Sequence, residues 1–90
     1  MISKELTIRN RNGLHARPAS LFVSCARRFA SEITVSRSDT DISANAKSII
    51  KLLALGASYG TVIRICANGA DEGAALDALV SLVESNFNEN

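Results

Sequence analysis

The sequence predicts an α+β fold: an open-faced, two-layer β-sandwich in which a four-stranded, mostly antiparallel sheet carries three helices on one face. Apolar and polar residues alternate in four short segments, which is the pattern of half-buried strands. Three other segments carry apolar residues at the spacing of a helix with one buried face. The segments follow in the order β-α-β-β-α-β-α, and a sheet with one apolar face needs a layer of helices to cover it.

The first strand and the first helix are predicted from a change of period. In ELTIR, Leu6 and Ile8 share one face, and the segment NRNG then interrupts the strand. The first helix is predicted to begin at Ala16, because helical spacing starts there and Pro18 is suited to a first turn. Its buried face is expected to comprise Ala19, Phe22, Val23, Ala26 and Phe29.

The middle of the chain is predicted to form two further strands and a short helix. SEITVS alternates with Ile33 and Val35 inward, and the polar turn RSDTD leads to a short strand at ISAN. The apolar segment KSIIKLLALG predicts a short helix that ends at Gly56. Either Asn45 or Ser48 is suited to cap the start of this helix.

The last third of the chain is predicted to form the fourth strand at TVIRICANG and a final helix at ADEGAALDALVSLVES. Asp71 and Glu72 complement the positive end of that helix. The buried stripe of the helix is expected to contain Ala75, Leu79, Leu82 and Val83.

Length and composition indicate one small globular domain over residues 1–90. The chain is 47% hydrophobic, which is typical of a folded protein with one core. Neither Cys25 nor Cys66 belongs to a C-x-x-C pair, and there is one histidine, so we expect no metal and no cofactor. No signal peptide and no apolar run of about 20 residues is visible, so we expect a cytoplasmic protein without membrane insertion.

Charge is distributed unevenly along the chain, although the net charge is only +1. All ten Lys and Arg residues lie between Lys4 and Arg64, and the stretch 6–31 contains five arginines and no acid. This basic region is suited to an anion. Binding of nucleic acid is not expected, because the sequence shows no aromatic stacking pair and no zinc-ligand spacing.

The stretch NGLHARPAS contains the only histidine and the only proline of the chain. If the helix begins at Ala16, His15 lies at or beside its N-cap, and the backbone N–H groups of Ala16 and Arg17 have no partner within the helix. Such groups bind anions, and the Arg17 guanidinium adds donors that match a phosphate. A lone histidine near a helix start is more often an exposed loop residue. Here its neighbours predict a histidine that accepts and holds a phosphoryl group.

GLHARPAS resembles the active-site motif of HPr, the histidine phosphocarrier family of the bacterial phosphoenolpyruvate-dependent sugar phosphotransferase system. SEITVS, AKSIIKLLALG, GTVIRICANGADE and the final helix also follow in the family's order. The resemblance implies that His15 takes a phosphoryl group from enzyme I on Nδ1 and passes it to enzyme IIA proteins. It also implies that Arg17 interacts with the phosphate, and that Ser48 is a regulatory site for a serine kinase and phosphatase.

The resemblance further implies a partner-binding surface on the first two helices. We expect Ile49, Ile50 and Leu53 to be exposed, with Leu52 and Leu55 in the core, because so short a segment can hardly bury five aliphatic residues. The other members of this surface are expected to be Ala16 and Ser20 on the first helix, with Arg27 and Lys51 at its rim.

The resemblance implies two functional hypotheses of different class. In the first, the protein is a monomeric phosphocarrier whose turnover depends on partner enzymes, so it is not itself an enzyme. In the second, it is mainly a regulatory protein of this type, serving a nitrogen-related branch or binding a transcription factor. His15 and Arg17 favour the carrier. The turn SRSDTD looks longer than the family's usual hairpin, and we expect little functional effect because it lies away from His15.

Overall fold

The computed structural model describes residues 1–88. The last two residues of the domain expected over 1–90 lie outside the described residues. The strands are β1 (Ile2–Thr7), β2 (Glu32–Arg37), β3 (Ser43–Asn45) and β4 (Val62–Asn68). The helices are α1 (Ala16–Ala26), α2 (Ile49–Ala54) and α3 (Glu72–Glu84), followed by a short turn at Asn86–Asn88.

The four strands form one sheet in the order β1-β4-β2-β3, and all three pairings are antiparallel. Leu6 lies opposite Ile63 and Val35 lies opposite Ile65, so these side chains share the covered face of the sheet. The predicted fold class and element order are confirmed. The first strand begins earlier than predicted, because β1 pairs with β4 from Ile2 onward.

The core lies between the covered face of the sheet and the helices. Helix α1 buries Pro18, Ala19, Phe22, Val23 and Ala26. Phe29 follows the end of α1 and is half-buried, so its predicted place on the helix face is wrong. On α3 the buried stripe includes Leu76 and Val80, whereas Leu82 is half-buried. The stripe is wider than predicted because α3 packs against β1, β4, α1 and the terminal turn.

Asp71 ties the start of α3 to the chain that leaves α1. Its carboxylate accepts hydrogen bonds from the backbone N–H groups of Ala30 and Ser31, each at 2.9 Å, and from the Ser31 hydroxyl. These donors hold the pKa of Asp71 below its usual range, the Ser31 hydroxyl contributing most. We call this contact the Asp71 clasp. Within residues 1–88, no helix has the length and apolar character needed to span a bilayer.

Candidate functional site

A tight loop before α1 sets the position of His15. The buried Asn10 side chain donates through Nδ2 to the Gly13 carbonyl oxygen at 2.7 Å, and the Gly13 N–H donates to the Asn10 carbonyl at 3.1 Å. Gly13 has a φ of +67°, and a Cβ added there would lie 2.6 Å from the Cα of Ser58. The next N–H, of Leu14, donates to the carbonyl of Ala57 at 2.8 Å. The loop is therefore pressed against the chain that follows α2.

Asn10 and Gly13 shape the loop that positions His15, and sequence reasoning missed them. The segment NRNG was interpretable only as a break after the first strand. The signal available in the sequence is an asparagine three residues before a glycine, which is typical of a tight turn. The close approach to Ser58 involves residues 45 positions apart, and no local pattern indicates it.

His15 is the N-cap residue of α1, as predicted. Its backbone is extended, with φ −87° and ψ −169°, and its carbonyl accepts the first helical hydrogen bond from the Ala19 N–H at 2.9 Å. The imidazole is half-buried, whereas Ala16 and Arg17 are exposed. Because the first N–H groups of a helix have no acceptor within it, the ring lies beside a helix end that favours an anion.

The other residues of α1 that were expected in the partner-binding surface lie in two different places on the helix. Ser20 is exposed one turn after Ala16, so the two lie on the same side of the helix. Arg27 is the C-cap residue, at the opposite end of α1 from His15. Its Nε donates to the Lys47 carbonyl at 3.0 Å, and the Lys47 ammonium donates to the Phe29 carbonyl at 2.7 Å.

Contacts at both ends show that α1 and α2 run in opposite directions. Arg27 at the end of α1 contacts Lys47 just before α2, whereas Leu14 just before α1 contacts Ala57 just after α2. The start of α2 is therefore far from His15, and its end is near the His15 loop. The sequence could place these residues on two helices but could not give their relative direction.

Helix α2 exposes part of the predicted aliphatic surface. Ile50 is 76% exposed and Leu53 is 40% exposed, whereas Leu52 and Leu55 are in the core. Ile49 is half-buried against the core, so its predicted exposure is wrong. It occupies the first position of α2, where the helix begins next to the core, and only part of its side chain reaches solvent.

Ser48 caps α2, which decides between the two candidates for that position. Its hydroxyl accepts a hydrogen bond from the Lys51 N–H at 3.3 Å. Asn45 instead accepts from the Lys47 N–H at 2.9 Å, in the turn before the helix. Lys51 itself is exposed. Ser48 and Arg27 thus lie near the start of α2, which is far from His15, whereas Lys51 belongs to the last turn of this short helix.

No group of three or more His, Cys, Asp and Glu side chains among residues 1–88 is arranged to hold a metal ion. The chemistry that the described residues offer at His15 is that of a ring nitrogen, backbone N–H groups and a guanidinium. That combination can form a bond to phosphorus and stabilise the charge of the attached group.

Comparisons with known proteins concern nearly the whole chain. Residues 2–85 match the family described as the PTS HPr component phosphorylation site. The chain is 43% identical to the phosphocarrier protein HPr of Xylella fastidiosa (strain Temecula1), over 100% of this chain and 99% of the relative. The crystal structure of an HPr from Thermoanaerobacter tengcongensis superposes with a TM-score of 0.93 at 46% identity, covering 100% of this chain and 99% of that one.

A further solved relative bears on the assembly state. It is described as an HPr dimer from Thermoanaerobacter tengcongensis, and it matches with a TM-score of 0.78 at 49% identity, over 96% of this chain and 99% of that one. That relative does not fit the expectation that this chain is a monomer.

Proposed function

Since the chain belongs to the HPr family of phosphocarrier proteins of the phosphotransferase system, we propose that it carries phosphoryl groups in the cytoplasm between enzyme I and enzyme IIA proteins of the sugar phosphotransferase system, with His15 as the acceptor. The observation that carries this proposal is the position of His15 as the N-cap of α1, with its ring half-buried beside the first turn.

In the proposed transfer, the lone pair of the His15 Nδ1 attacks the phosphorus atom of the phosphorylated donor. A nitrogen–phosphorus bond forms, and the bond between phosphorus and the donor breaks with its electron pair remaining on the donor. The backbone N–H groups at the start of α1 and the Arg17 guanidinium stabilise the phosphoryl oxygens. In the second transfer, a nucleophile of the acceptor attacks the phosphorus atom. The nitrogen–phosphorus bond then breaks with its electron pair remaining on Nδ1, so the chain returns to its starting state.

Docking of partners is proposed to use the exposed surface next to His15. Leu53 and Ile50 on α2 and the small side chains of Ala16 and Ser20 on α1 leave an apolar area on which a partner can exclude water. The cationic Arg27 at its far end and Lys51 on the last turn of α2 are suited to acidic groups of the partner. Because α1 and α2 run in opposite directions, this surface extends from His15 to Ser48.

Phosphorylation of Ser48 is proposed as the regulatory input. The hydroxyl is at the start of α2, and Arg27 is bound to the carbonyl of the preceding residue. A phosphate would add a charge of about −1.5 to −2 at this end of the docking surface. It would oppose the acidic groups that the cationic rim is suited to meet, so docking would weaken although His15 itself is unchanged.

The test of the carrier function is incubation with phosphoenolpyruvate and enzyme I, followed by measurement of the intact mass. The wild-type chain should gain one phosphoryl group that is lost in acid and kept in base. His15→Ala should gain none. Ser48→Ala is the matched control, because it keeps His15 and removes the other proposed acceptor, and it should still be phosphorylated.

Phosphorylation of His15→Ala at the wild-type rate would contradict the assignment of the acceptor. The mainly regulatory alternative gives a different result, since such a protein need not accept a phosphoryl group from enzyme I at all. Transfer from the phosphorylated chain to an enzyme IIA protein separates the two functions further.

A further inference from the structure

An open groove beside the proposed phosphoryl site shares Arg17 with that site, and its other lining residues have no part in the proposed transfer. It has a volume of about 890 Å³, and its lining among residues 1–88 comprises three arginines, four asparagines and Tyr59. The arginines are Arg9, Arg11 and Arg17. We call it the arginine groove. Of the residues that the structure describes, none that line it is acidic.

The three guanidinium groups are available to a ligand. All three arginines are exposed. Among residues 1–88, the cationic partners in the ion pairs are the amino terminus, Arg37 and Arg64. Like charges facing one groove repel one another, and a multiply charged anion would relieve that repulsion. Arginine presents a planar fork of donors that matches the oxygens of a phosphate.

Another part of the groove lining has a left-handed backbone. Asn86, Phe87 and Asn88 have φ values of +56°, +57° and +61°, a region that asparagine tolerates and that a bulky residue such as phenylalanine rarely adopts. The Phe87 side chain is 1% exposed and its ring lies 6.5 Å from that of Phe22, measured between centroids. Burial of Phe87 therefore offsets the backbone strain at that residue and fixes the backbone of Asn86 and Asn88 beside the groove, where their side-chain amides can bond phosphate oxygens.

Tyr59 provides an aromatic surface at the same groove. Its side chain is 66% exposed, yet the loop that carries it is fixed. The Gly60 N–H donates to the Ile8 carbonyl at 2.7 Å, and the Ile8 N–H donates to the Thr61 carbonyl at 2.9 Å. The backbone beside Tyr59 is thus held next to the segment that bears Arg9, and a planar ligand group could stack on the exposed ring.

We propose that the arginine groove binds a small molecule that carries a diphosphate group. Three cations and two fixed amides match the several charges and oxygens of a diphosphate better than those of a single carboxylate. Arg17 belongs both to the groove and to the proposed phosphoryl site, so an occupied groove should slow phosphorylation of His15. This second consequence rests on the proposed function, whereas the binding itself does not.

Binding is tested by titrating the full chain with inorganic pyrophosphate at constant ionic strength and following backbone amide shifts by NMR. The largest shifts are expected at Arg9, Arg11, Arg17 and Asn88. The double variant Arg9→Gln, Arg11→Gln should bind at least about tenfold more weakly, because each lost guanidinium removes a charge-assisted hydrogen bond. The double variant Arg28→Gln, Arg64→Gln loses the same two positive charges, but at positions that do not line the groove. It should bind pyrophosphate like the wild type.

A nucleoside diphosphate serves as a second probe and identifies the source of the diphosphate. If the nucleoside diphosphate binds more tightly than pyrophosphate and this difference is lost in Tyr59→Ala, the ligand is a nucleotide whose base stacks on the Tyr59 ring. Equal binding of both probes indicates a ligand recognised by its phosphates alone. Equal weakening in the two double variants would overturn the proposal, since it would show attraction to net charge only, and so would the absence of saturable binding.

The consequence for transfer is measured as the initial rate of His15 phosphorylation by enzyme I, with and without pyrophosphate and with free divalent cation held constant. Pyrophosphate should slow the wild-type chain and have little effect on Arg9→Gln, Arg11→Gln. Equal inhibition of both chains would place the effect on enzyme I and contradict the overlap at Arg17. A chain that binds pyrophosphate in the groove but is never phosphorylated would instead refute the proposed carrier function.

Discussion

At residue 13 the loop before His15 accepts no side chain. The φ of +67° already disfavours an L-residue, and an added Cβ would meet the Cα of Ser58 at 2.6 Å and the Ala57 carbonyl oxygen at 2.7 Å. Both contacts are to backbone, so relief requires the loop to move away from the end of α2. Since Gly13 is two residues before His15, that movement would displace the proposed acceptor.

We therefore expect Gly13→Ala to destabilise the fold by more than about 1–2 kcal/mol, the cost of the left-handed backbone alone, and to slow phosphorylation of His15. Gly60→Ala is the control, because Gly60 has a φ of +87° but no atom within 4 Å of an added Cβ. Urea unfolding and the transfer rate give the comparison. Equal losses in the two variants would mean that the contact with Ser58 contributes nothing.

Arg17 is expected to act on the phosphate with little part in folding. It is exposed on the first turn of α1, so Arg17→Ala should change the free energy of unfolding by less than about 0.5 kcal/mol. The rate of phosphorylation should fall by much more than that free energy corresponds to. Arg17→Lys should recover only part of the rate, because an ammonium lacks the planar fork. An unchanged rate for Arg17→Ala would remove this residue from the site.

At the scale of the elements, the predictions made for α2 differ most from the structure. Its start is held to α1 through Arg27, and its end is held to the sheet through Arg37, whose guanidinium donates to the Gly56 carbonyl at 3.2 Å and to Asp39. The turn SRSDTD is thus connected to the end of α2 by Arg37. That end of α2 is also the one near the His15 loop, and the expectation that the turn lies away from His15 and has little functional effect stays a prediction.

The docking surface on α2 predicts different results for two neighbouring isoleucines. Ile50→Glu should weaken binding to enzyme I and leave the melting temperature nearly unchanged, because Ile50 is 76% exposed. Ile49→Glu should cost about 1–3 kcal/mol of stability, because it would place a charge against the core. Ile42→Glu is the control, since Ile42 is also exposed but precedes β3. Binding can be measured by calorimetry, and equal weakening by Ile42→Glu would refute a localised surface.

Variants of Ser48 distinguish its role as a helix cap from the effect of a negative charge at the same position. Ser48→Ala removes the acceptor for the Lys51 N–H and should lower stability by about 0.5–2 kcal/mol while phosphorylation of His15 stays fast. Ser48→Asp keeps a capping oxygen and should slow phosphorylation by enzyme I with the fold intact. Ser48→Asn introduces a side chain with nearly the shape and capping ability of aspartate but without its charge. This variant should be phosphorylated by enzyme I at the normal rate. Slow transfer in Ser48→Asn would show that shape is responsible.

At the scale of the whole molecule, the Asp71 clasp makes stability depend on pH. The Ser31 hydroxyl and the two N–H donors lower the pKa of Asp71 in the folded chain, and the Gly69 N–H lowers the pKa of Glu72 in the same way. A carboxylate with a lowered folded pKa contributes stability above its ordinary value of about 4. That contribution is lost as the pH falls from about 4 through the lower folded pKa.

Asp71→Asn should therefore lower the melting temperature at pH 7 and flatten the loss of stability below about pH 4. The neutral amide can no longer accept hydrogen bonds through both of its terminal atoms. Asp77→Asn, an exposed carboxylate on the same helix, is the matched control and should unfold in acid like the wild type. Thermal unfolding between pH 2 and pH 7 measures both, and parallel curves for Asp71→Asn and the wild type would contradict the role of the clasp.

The sequence by itself determined the order of the elements, the sheet faces and the start of α1 at Ala16, directly after His15, because alternation, helical spacing and a proline in a first turn are local properties of the chain. Only the tertiary structure decided the direction of α2 relative to α1, the half-burial of Ile49, the contact of Gly13 with Ser58 and the convergence of Arg9, Arg11 and Arg17 with the terminal turn. Each of these depends on residues distant in sequence that packing brings together, and local periodicity carries no information about such distances.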